Sequence, residues 1–599
     1  MEERLPATDS SASSVETAKP IHTPISQHLP LSILLELFTT IRGSWLICIC
    51  VSAIVIWPAR NHIITDGLSY LDIASEASSG DLSALANPYW NPAYPALIGI
   101  ALFVLRPSAA HEIHVVQLVN FIVSIVALGA FTLFFRSWTK MIPEFEQASD
   151  RDKGLFTLFA FCCFLWFGYF AIGVTITTPD MLVACQVFFV AALGCRVLRL
   201  NAGWKHFAVL GALLGLGIYV KAALFPLAFV FIALLFVSLV WKSDMPLRKI
   251  VALLALTTVK CAVVSAPLII VMSQQVGHLT TGESGRLNYV WNVDGLKPDL
   301  VGWTGGTPPQ YGTPLHPPRT LMENPTVLEF ATPIPGTYPL WHSPAYWYAG
   351  AKPVFDLRKN IRTFRESLLE FKVIAAHAIG FIGGAVLLFL LSVASNRKAQ
   401  PWRISFLLLA WPLAACVMYA IVRTQPRYVV AFLLLLCLVA YGALVFRVER
   451  RVAMGVCAVA LLIPMTPLLI NVAQAFATSI SQFRHPMDED YVAVAHKLQH
   501  IGLQPGDQVA LAGFGLNCYY ARYDRLRVVA QIISPDDFWR LNPADAKRVE
   551  SRLASIGVKA LVAMNRPAGN QESGWTDVGR FEGESLSVLR LEPASDPSH

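Results

Sequence analysis

The chain has 599 residues, 55% of them hydrophobic and 15% charged, with a formal net charge of +7. A soluble protein carries roughly 25% charged residues, so this composition excludes a wholly water-soluble architecture. The basic residues sit in short clusters beside long apolar runs, which is a topology signal and argues against nucleic acid as a partner.

Residues 1–29 are polar and rich in Ser, Thr and Pro, with no early apolar core. They read as a disordered tail, not a cleavable signal, and 1–42 form a tail and lead-in. A fold of about 11 transmembrane helices is expected over 43–474, since a span needs about 20 mostly apolar residues. The runs lie near 43–58, 112–135, 154–174, 180–200, 207–224, 226–241, 249–272, 373–394, 403–422, 428–446 and 453–473. The run 93–105 is too short to cross and is expected to lie along the interface. Ten of the eleven cysteines fall in apolar runs, where Cys acts as a small hydrophobe. Only Cys518 lies in a polar region.

Orientation follows from Lys and Arg. Arg136, Lys140, Arg151 and Lys153 follow the second run, and Arg196, Arg199 and Lys205 the fourth. Lys242, Arg248 and Lys249 follow the sixth, Arg397, Lys398 and Arg403 the eighth, and Arg447, Arg450 and Arg451 the tenth. Every second loop is basic, so those loops are expected in the cytoplasm. The N-terminus is then cytoplasmic and the C-terminus outside, in a cell (inner) membrane. A crossing at 93–105 would break this alternation.

The external pieces are a loop 59–111, several tight turns, a long loop 273–372 and the region from about 485. The long loop is rich in Pro, Trp and Tyr, and loops of that length are usually functional or disordered; its aromatics argue against disorder. Region 485–599 changes character. Helical periodicity marks 488–501 and 544–556, and strands are expected at 508–513, 558–563 and 586–591. This predicts a small extracytoplasmic α/β domain. Its Gly-Phe-Gly at 513–515 lacks the spacing of a dinucleotide fingerprint and reads as a tight turn.

The informative charges are those that break the pattern. Lys221, Arg423 and Arg427 fall in short external turns, which have no topological need of cations. Snorkelling at the interface is the plain explanation for any one of them. Three on one face, from separate segments, point instead to an anion such as phosphate. Asp180, after Pro179, suits the first turn of a helix. Asp66 precedes no long apolar helix, and Tyr70 lies one turn on. A carboxylate beside an apolar surface suits a general base. Asp72 and Glu76 are weaker candidates of the same kind. The external histidines, His62, His111, His114, His278, His316 and His342, show no zinc spacing, so a divalent metal has no support in the sequence and is left open.

Five segments together carry a resemblance. DGLSYLDIA (66–74), NPAYP (91–95), TTPDMLVA (177–184), GALLGLGIYVKAALFPL (211–227) and QPRYVVAFLLLL (425–436) resemble, in order and spacing, the GT-C fold glycosyltransferases. The likeness is to the family 39 and aminoarabinose-transferase-like branch, similar to protein O-mannosyltransferases, and covers roughly 43–446. It implies transfer of a sugar from a polyprenyl-phosphate donor to an external glycan, lipid or protein acceptor, with inversion. It places Asp66 as the catalytic acidic residue and Lys221 and Arg427 at the donor phosphate; topology adds Arg423. Tyr70, Asp180 and Tyr428 are the further substrate-binding candidates. The family often has Asp-Glu where this chain has Asp66-Gly67, which leaves metal binding or acceptor positioning open. Two other classes of function fit many helices and external cations: a transporter or flippase of an anionic lipid-linked substrate, and a non-catalytic assembly protein.

Overall fold

The computed structural model describes residues 39–199, 202–298, 303, 307–330, 332–394, 402–484, 490–567 and 574–592. The expected tail over 1–42 lies almost wholly outside them. Helices of ten residues or more are labelled in chain order. The first eight are α1 (Ile41–Ile56), α2 (Thr65–Ser78), α3 (Ala93–Leu105), α4 (Glu112–Thr139), α5 (Asp150–Leu165), α6 (Asp180–Arg199), α7 (Trp204–Val220) and α8 (Leu224–Lys242). Then come α9 (Leu247–Val276), α10 (Leu357–His377), α11 (Ile379–Ala394), α12 (Trp402–Val422), α13 (Pro426–Leu444), α14 (Arg450–Arg484), α15 (Asp490–His500) and α16 (Pro543–Ser555).

Each of the eleven expected runs falls on helix. By length and apolarity, six helices among the described residues can cross a membrane, or seven if the bent pair α10–α11 is one span. α1, α5 and α7 are shorter than a full crossing, at 16, 16 and 17 residues. The protein is a multi-span α-helical membrane protein with a smaller sheet region. Helix α3 has only 13 residues, about 20 Å at 1.5 Å per residue, well short of a hydrocarbon core of about 30 Å.

The expected span 373–394 is interrupted. α10 meets α11 at 78°, because α10 is too charged to enter hydrocarbon. Its exposed Leu357, Ile361, Phe364 and Leu368 recur at helical spacing, flanked by Arg358, Arg362, Arg365 and Lys372. Such a helix lies in the interface plane, while its opposite side buries Thr363, Ser367 and Ile374.

α7 packs closely on α9. A Cβ at Gly211 would lie 2.2 Å from the Thr257 carbonyl oxygen, and one at Gly215 2.6 Å from that of Cys261. Small residues four apart thus let the two backbones touch, the usual solution where lipid supplies no hydrophobic drive. Thr257 Oγ1 also donates to the Phe207 carbonyl at 3.1 Å. α7 stops at Val220 and presents Lys221 at its C-cap.

The sheet has seven strands in the order β1-β2-β4-β3-β5-β7-β6. They are β1 (Arg319–Met322), β2 (Val327–Glu329), β3 (Gln508–Ala512), β4 (Arg527–Ile532), β5 (Ala560–Met564), β6 (Trp575–Phe581) and β7 (Glu584–Arg590). β3 runs parallel to β4 and β5, and the remaining pairings are antiparallel. Two strands come from the long loop: β2 pairs with β4, Val327 opposite Ile532. The loop is therefore tied to the C-terminal region by main-chain bonds. β6 and β7 are joined through Glu582 and Gly583, both at positive φ, the two-residue turn whose twist suits a hairpin. Gly513, at φ +123°, ends β3 in the tight turn expected at 513–515.

Candidate functional site

Two carboxylates and two cations meet where four helix ends converge. Asp66 lies in the first turn of α2 and Asp180 in the first turn of α6. Exposed N–H groups give a helix N-terminus partial positive charge, so both ends favour an anionic side chain. Lys221 sits at the C-terminal end of α7, where a cation is favoured for the converse reason. Pro426 starts α13, its fixed φ and missing N–H suiting the first helical position. The next residue, Arg427, places a cation where the helix end is already positive. That arrangement needs negative partners.

It has two. Arg427 Nη2 donates to Asp66 Oδ2 at 3.1 Å, and its Nε lies 3.5 Å from Asp180 Oδ2. Lys221 Nζ donates to Asp180 Oδ1 at 2.6 Å, and Thr178 Oγ1 to Asp180 Oδ2 at 2.9 Å. Asp180 is only 2% exposed, a buried charge that persists because it is paired and hydrogen-bonded. Burial works against the Lys221 charge, and the ion pair with Asp180 compensates it. The ammonium also lies 3.8 Å from the ring centre of Tyr428, a favourable cation–π distance, and Tyr428 stacks on Tyr419.

These groups line a cavity of about 530 Å³. Seven of the residues singled out from the sequence border it: Asp66, Tyr70, Asp180, Lys221, Arg423, Arg427 and Tyr428. Tyr70 is buried against the rings of Trp90 and Tyr94; burial, then the Asp66 charge, keeps its phenol protonated well above its usual pKa. Arg423 lies at the outer edge, its Nη1 donating to Asn292 Oδ1 at 3.1 Å. It is the cation of the three with no carboxylate partner among the described residues. Asp72 and Glu76 point elsewhere. Asp72 accepts from Thr337 N at 2.8 Å and Thr337 Oγ1 at 3.0 Å, and Glu76 lies 3.1 Å from His342.

Gly67 has a steric reason to be glycine. A Cβ there would fall 2.0 Å from Thr177 Oγ1, so no side chain fits beside Asp66. The Thr177 hydroxyl lies 3.3 Å from Ile64 N, which donates to it at the entrance to α2. Thus the TTPD segment braces the residue before α2 and supplies Asp180 as well.

Other cavity residues left little trace in the sequence. Tyr89, Trp90, Trp291, Asn292 and Trp341 come from loops or short helices with no periodicity, and Tyr419 is hidden in an apolar run. Asn91 was signalled only by the NPAYP motif. Its Nδ2 donates to the Ile218 carbonyl at 2.7 Å, and its Oδ1 accepts from Ala222 N at 3.1 Å, locking the turn that carries Lys221. Among the described residues, no group of three His, Cys, Asp or Glu gathers as a metal site.

The chain is a membrane protein of GT-C-like fold, with a cavity at the helix ends that sets charged side chains among aromatic ones. No protein-family model matches the chain, and no curated protein matches it in sequence. Among solved structures, it is similar to ArnT from Cupriavidus metallidurans bound to undecaprenyl phosphate, at 12% identity and TM-score 0.51, over 91% of this chain and 98% of that one. The apo form of the same ArnT aligns at 14% identity and TM-score 0.49, over 91% and 97%. The archaeal oligosaccharyltransferase AglB from Archaeoglobus fulgidus, in complex with an inhibitory peptide and a dolichol-phosphate, aligns at 12% and 0.48, over 87% and 69%.

Proposed function

We propose that this protein is a membrane glycosyltransferase that moves a hexosyl or pentosyl group from a polyprenyl-phosphate donor to an extracytoplasmic glycan, lipid or protein acceptor. The observation that carries the reading is the bridging of Asp66 and Asp180 by Arg427, beside Lys221 and Arg423, in one cavity at the helix ends. A phosphate whose tail lies in the bilayer needs cations at such a place. The shared fold with a structure that holds undecaprenyl phosphate supports the donor class.

In this reading Asp66 is the general base. The acceptor hydroxyl attacks the anomeric carbon and gives its proton to Asp66, while the bond from that carbon to the phosphate oxygen breaks. The phosphate leaves with the electron pair, and the single displacement inverts the anomeric centre. Arg423, free of carboxylates, meets the phosphate first. Lys221 and Arg427 then stabilise the charge that builds on the leaving oxygen, where fixed electrostatics contribute most. As Arg427 turns toward the phosphate it relaxes its hold on Asp66 Oδ2, so the base strengthens when it is needed. Trp291 and Trp341 of the long loop cover the cavity and keep out water, the competing acceptor.

We place 43–474 as the transferase unit in the inner membrane, with the N-terminus in the cytoplasm and 485–599 as an extracytoplasmic α/β domain. The test is to supply the purified chain in liposomes with a labelled polyprenyl-phosphate sugar and a cell-envelope extract. The reading expects polyprenyl phosphate to be released with label transferred to extract. Donor left intact with every extract, or label carried across the bilayer unchanged, contradicts it.

A further inference from the structure

A second polar cavity, of about 340 Å³, lies on another side of α2, between the membrane helices and the C-terminal sheet. None of its lining residues borders the first cavity. Four arginines line it: Arg106 at the end of α3, Arg522 and Arg525 before β4, and Arg527 at the start of β4. Three carboxylates, Asp72, Glu76 and Glu112, face them.

The carboxylates are already engaged. Glu112 accepts from Arg522 Nη2 at 2.7 Å and lies 3.6 Å from Arg525. Asp72 takes two bonds from Thr337 and lies 3.5 Å from Arg522 Nε. Glu76 pairs with His342. Arg106 and Arg527 have no carboxylate within ion-pair distance among the described residues, and four arginines against three carboxylates leave the lining with one positive charge in excess. Ser75, Ser78 and Ser79 complete the wall at the end of α2; the Ser78 and Ser79 hydroxyls donate to the Ser75 carbonyl at 2.8 and 2.9 Å, which leaves their oxygens as acceptors.

Arg106 ends α3 as its left-handed C-cap, at φ +46°, its N–H donating to the Leu102 carbonyl at 2.8 Å, so the helix end fixes where its side chain leaves the backbone at the cavity wall.

We infer that this cavity binds an anionic polyol, a phosphate or carboxylate carried on a hydroxyl-bearing saccharide, with Arg106 and Arg527 clamping the anion and the serine wall facing the hydroxyls. Arg recognises such oxygens bidentately. Calling this ligand the acceptor's anionic part rests on the transferase reading; the binding itself does not.

The experiment measures equilibrium binding of glucose 1-phosphate, inorganic phosphate and glucose to the purified full chain without donor. Glucose 1-phosphate is expected to saturate one site, at least about tenfold tighter than inorganic phosphate, with glucose not binding. Arg106→Gly removes the guanidinium and suits the left-handed C-cap of α3, so it is expected to lose binding while melting no lower than wild type. Arg527→Gln is expected to lose binding too, and Asp66→Asn to keep it, whatever it does to transfer. Wild-type affinity in both arginine variants would overturn the inference. So would equal binding of inorganic and sugar phosphate, or phosphatidylglycerol nanodiscs occupying a site that glucose 1-phosphate does not fill.

Discussion

Arg427 and Asp66, 361 positions apart in sequence, meet at 3.1 Å at the rim of the larger cavity. The contact joins the N-terminus of α2 to that of α13, and Arg427 extends it to Asp180. A cation between two carboxylates, with Lys221 on the far side of Asp180, is built to reorganise around an incoming anion. The charges of Asp66, Asp180, Lys221, Arg423 and Arg427 leave one positive charge uncompensated, and Arg423 holds it outermost.

Arg423→Gln is expected to weaken use of a polyprenyl-phosphate donor by about tenfold or more, the worth of one charge-assisted hydrogen bond. Because Arg423 hydrogen-bonds only the Asn292 amide oxygen among the described residues, the melting temperature is expected to hold. Steady-state transfer against donor concentration checks this; an unchanged apparent KM removes Arg423 from the phosphate site.

Lys221→Met breaks a buried pair and leaves the Asp180 charge short of its nearest partner. Breaking such pairs costs about 3–5 kcal/mol, and the low end is expected because Arg427 and Thr178 still reach Asp180. The double variant Lys221→Met with Asp180→Asn is expected to recover part of that loss. Thermal denaturation in detergent measures both, and a double variant no better than the single contradicts the pairing.

Asp524 supplies a pH prediction outside the membrane. Burial pushes its pKa up from 3.8 to about 7, only partly opposed by the hydrogen bond from Gln499 Nε2; its Oδ2 is buried with no hydrogen bond among the described residues. The folded pKa lies above the unfolded one. The group therefore costs nothing below about pH 4 and destabilises progressively as pH rises to about 7, by at most about 1.4 kcal/mol per pH unit. Asp524→Asn is expected to raise the melting temperature at pH 8 and leave it nearly unchanged at pH 4. A variant with the wild-type pH dependence would contradict this.

Topology gives a further test. Reporter fusions at Gln400 and at the C-terminus are expected to report opposite sides of the membrane. Reports from the same side contradict the orientation read from the basic loops.

The membrane helices and the cavity residues on helix ends were legible for one reason. Hydrophobic runs and Lys/Arg placement obey simple energetic rules, so Lys221, Arg423 and Arg427 stood out as violations of them. Strand β2 was not legible. Three residues inside a Pro-rich loop carry no alternation, and their pairing with β4 is set some two hundred residues later. The expected strands near β3, β5 and β7 lie in apolar runs with flanking turns. β4 and β6 were missed: β4 follows a turn marked only by Arg525 at positive φ, and the β6 pattern is mostly exposed. Loop aromatics such as Trp291 and Trp341 could be counted but not placed, because their packing on Tyr89 and Trp90 is tertiary.

The central claim is that Asp66 takes the acceptor proton at a site held by Arg427. The most direct measurement compares the rate of sugar transfer from a labelled polyprenyl-phosphate donor by the wild-type chain and by Asp66→Asn, at saturating donor and equal fold content. Loss of a general base is expected to lower kcat by about 10²–10⁴-fold with donor KM nearly unchanged. Equal kcat in the two proteins would contradict the account.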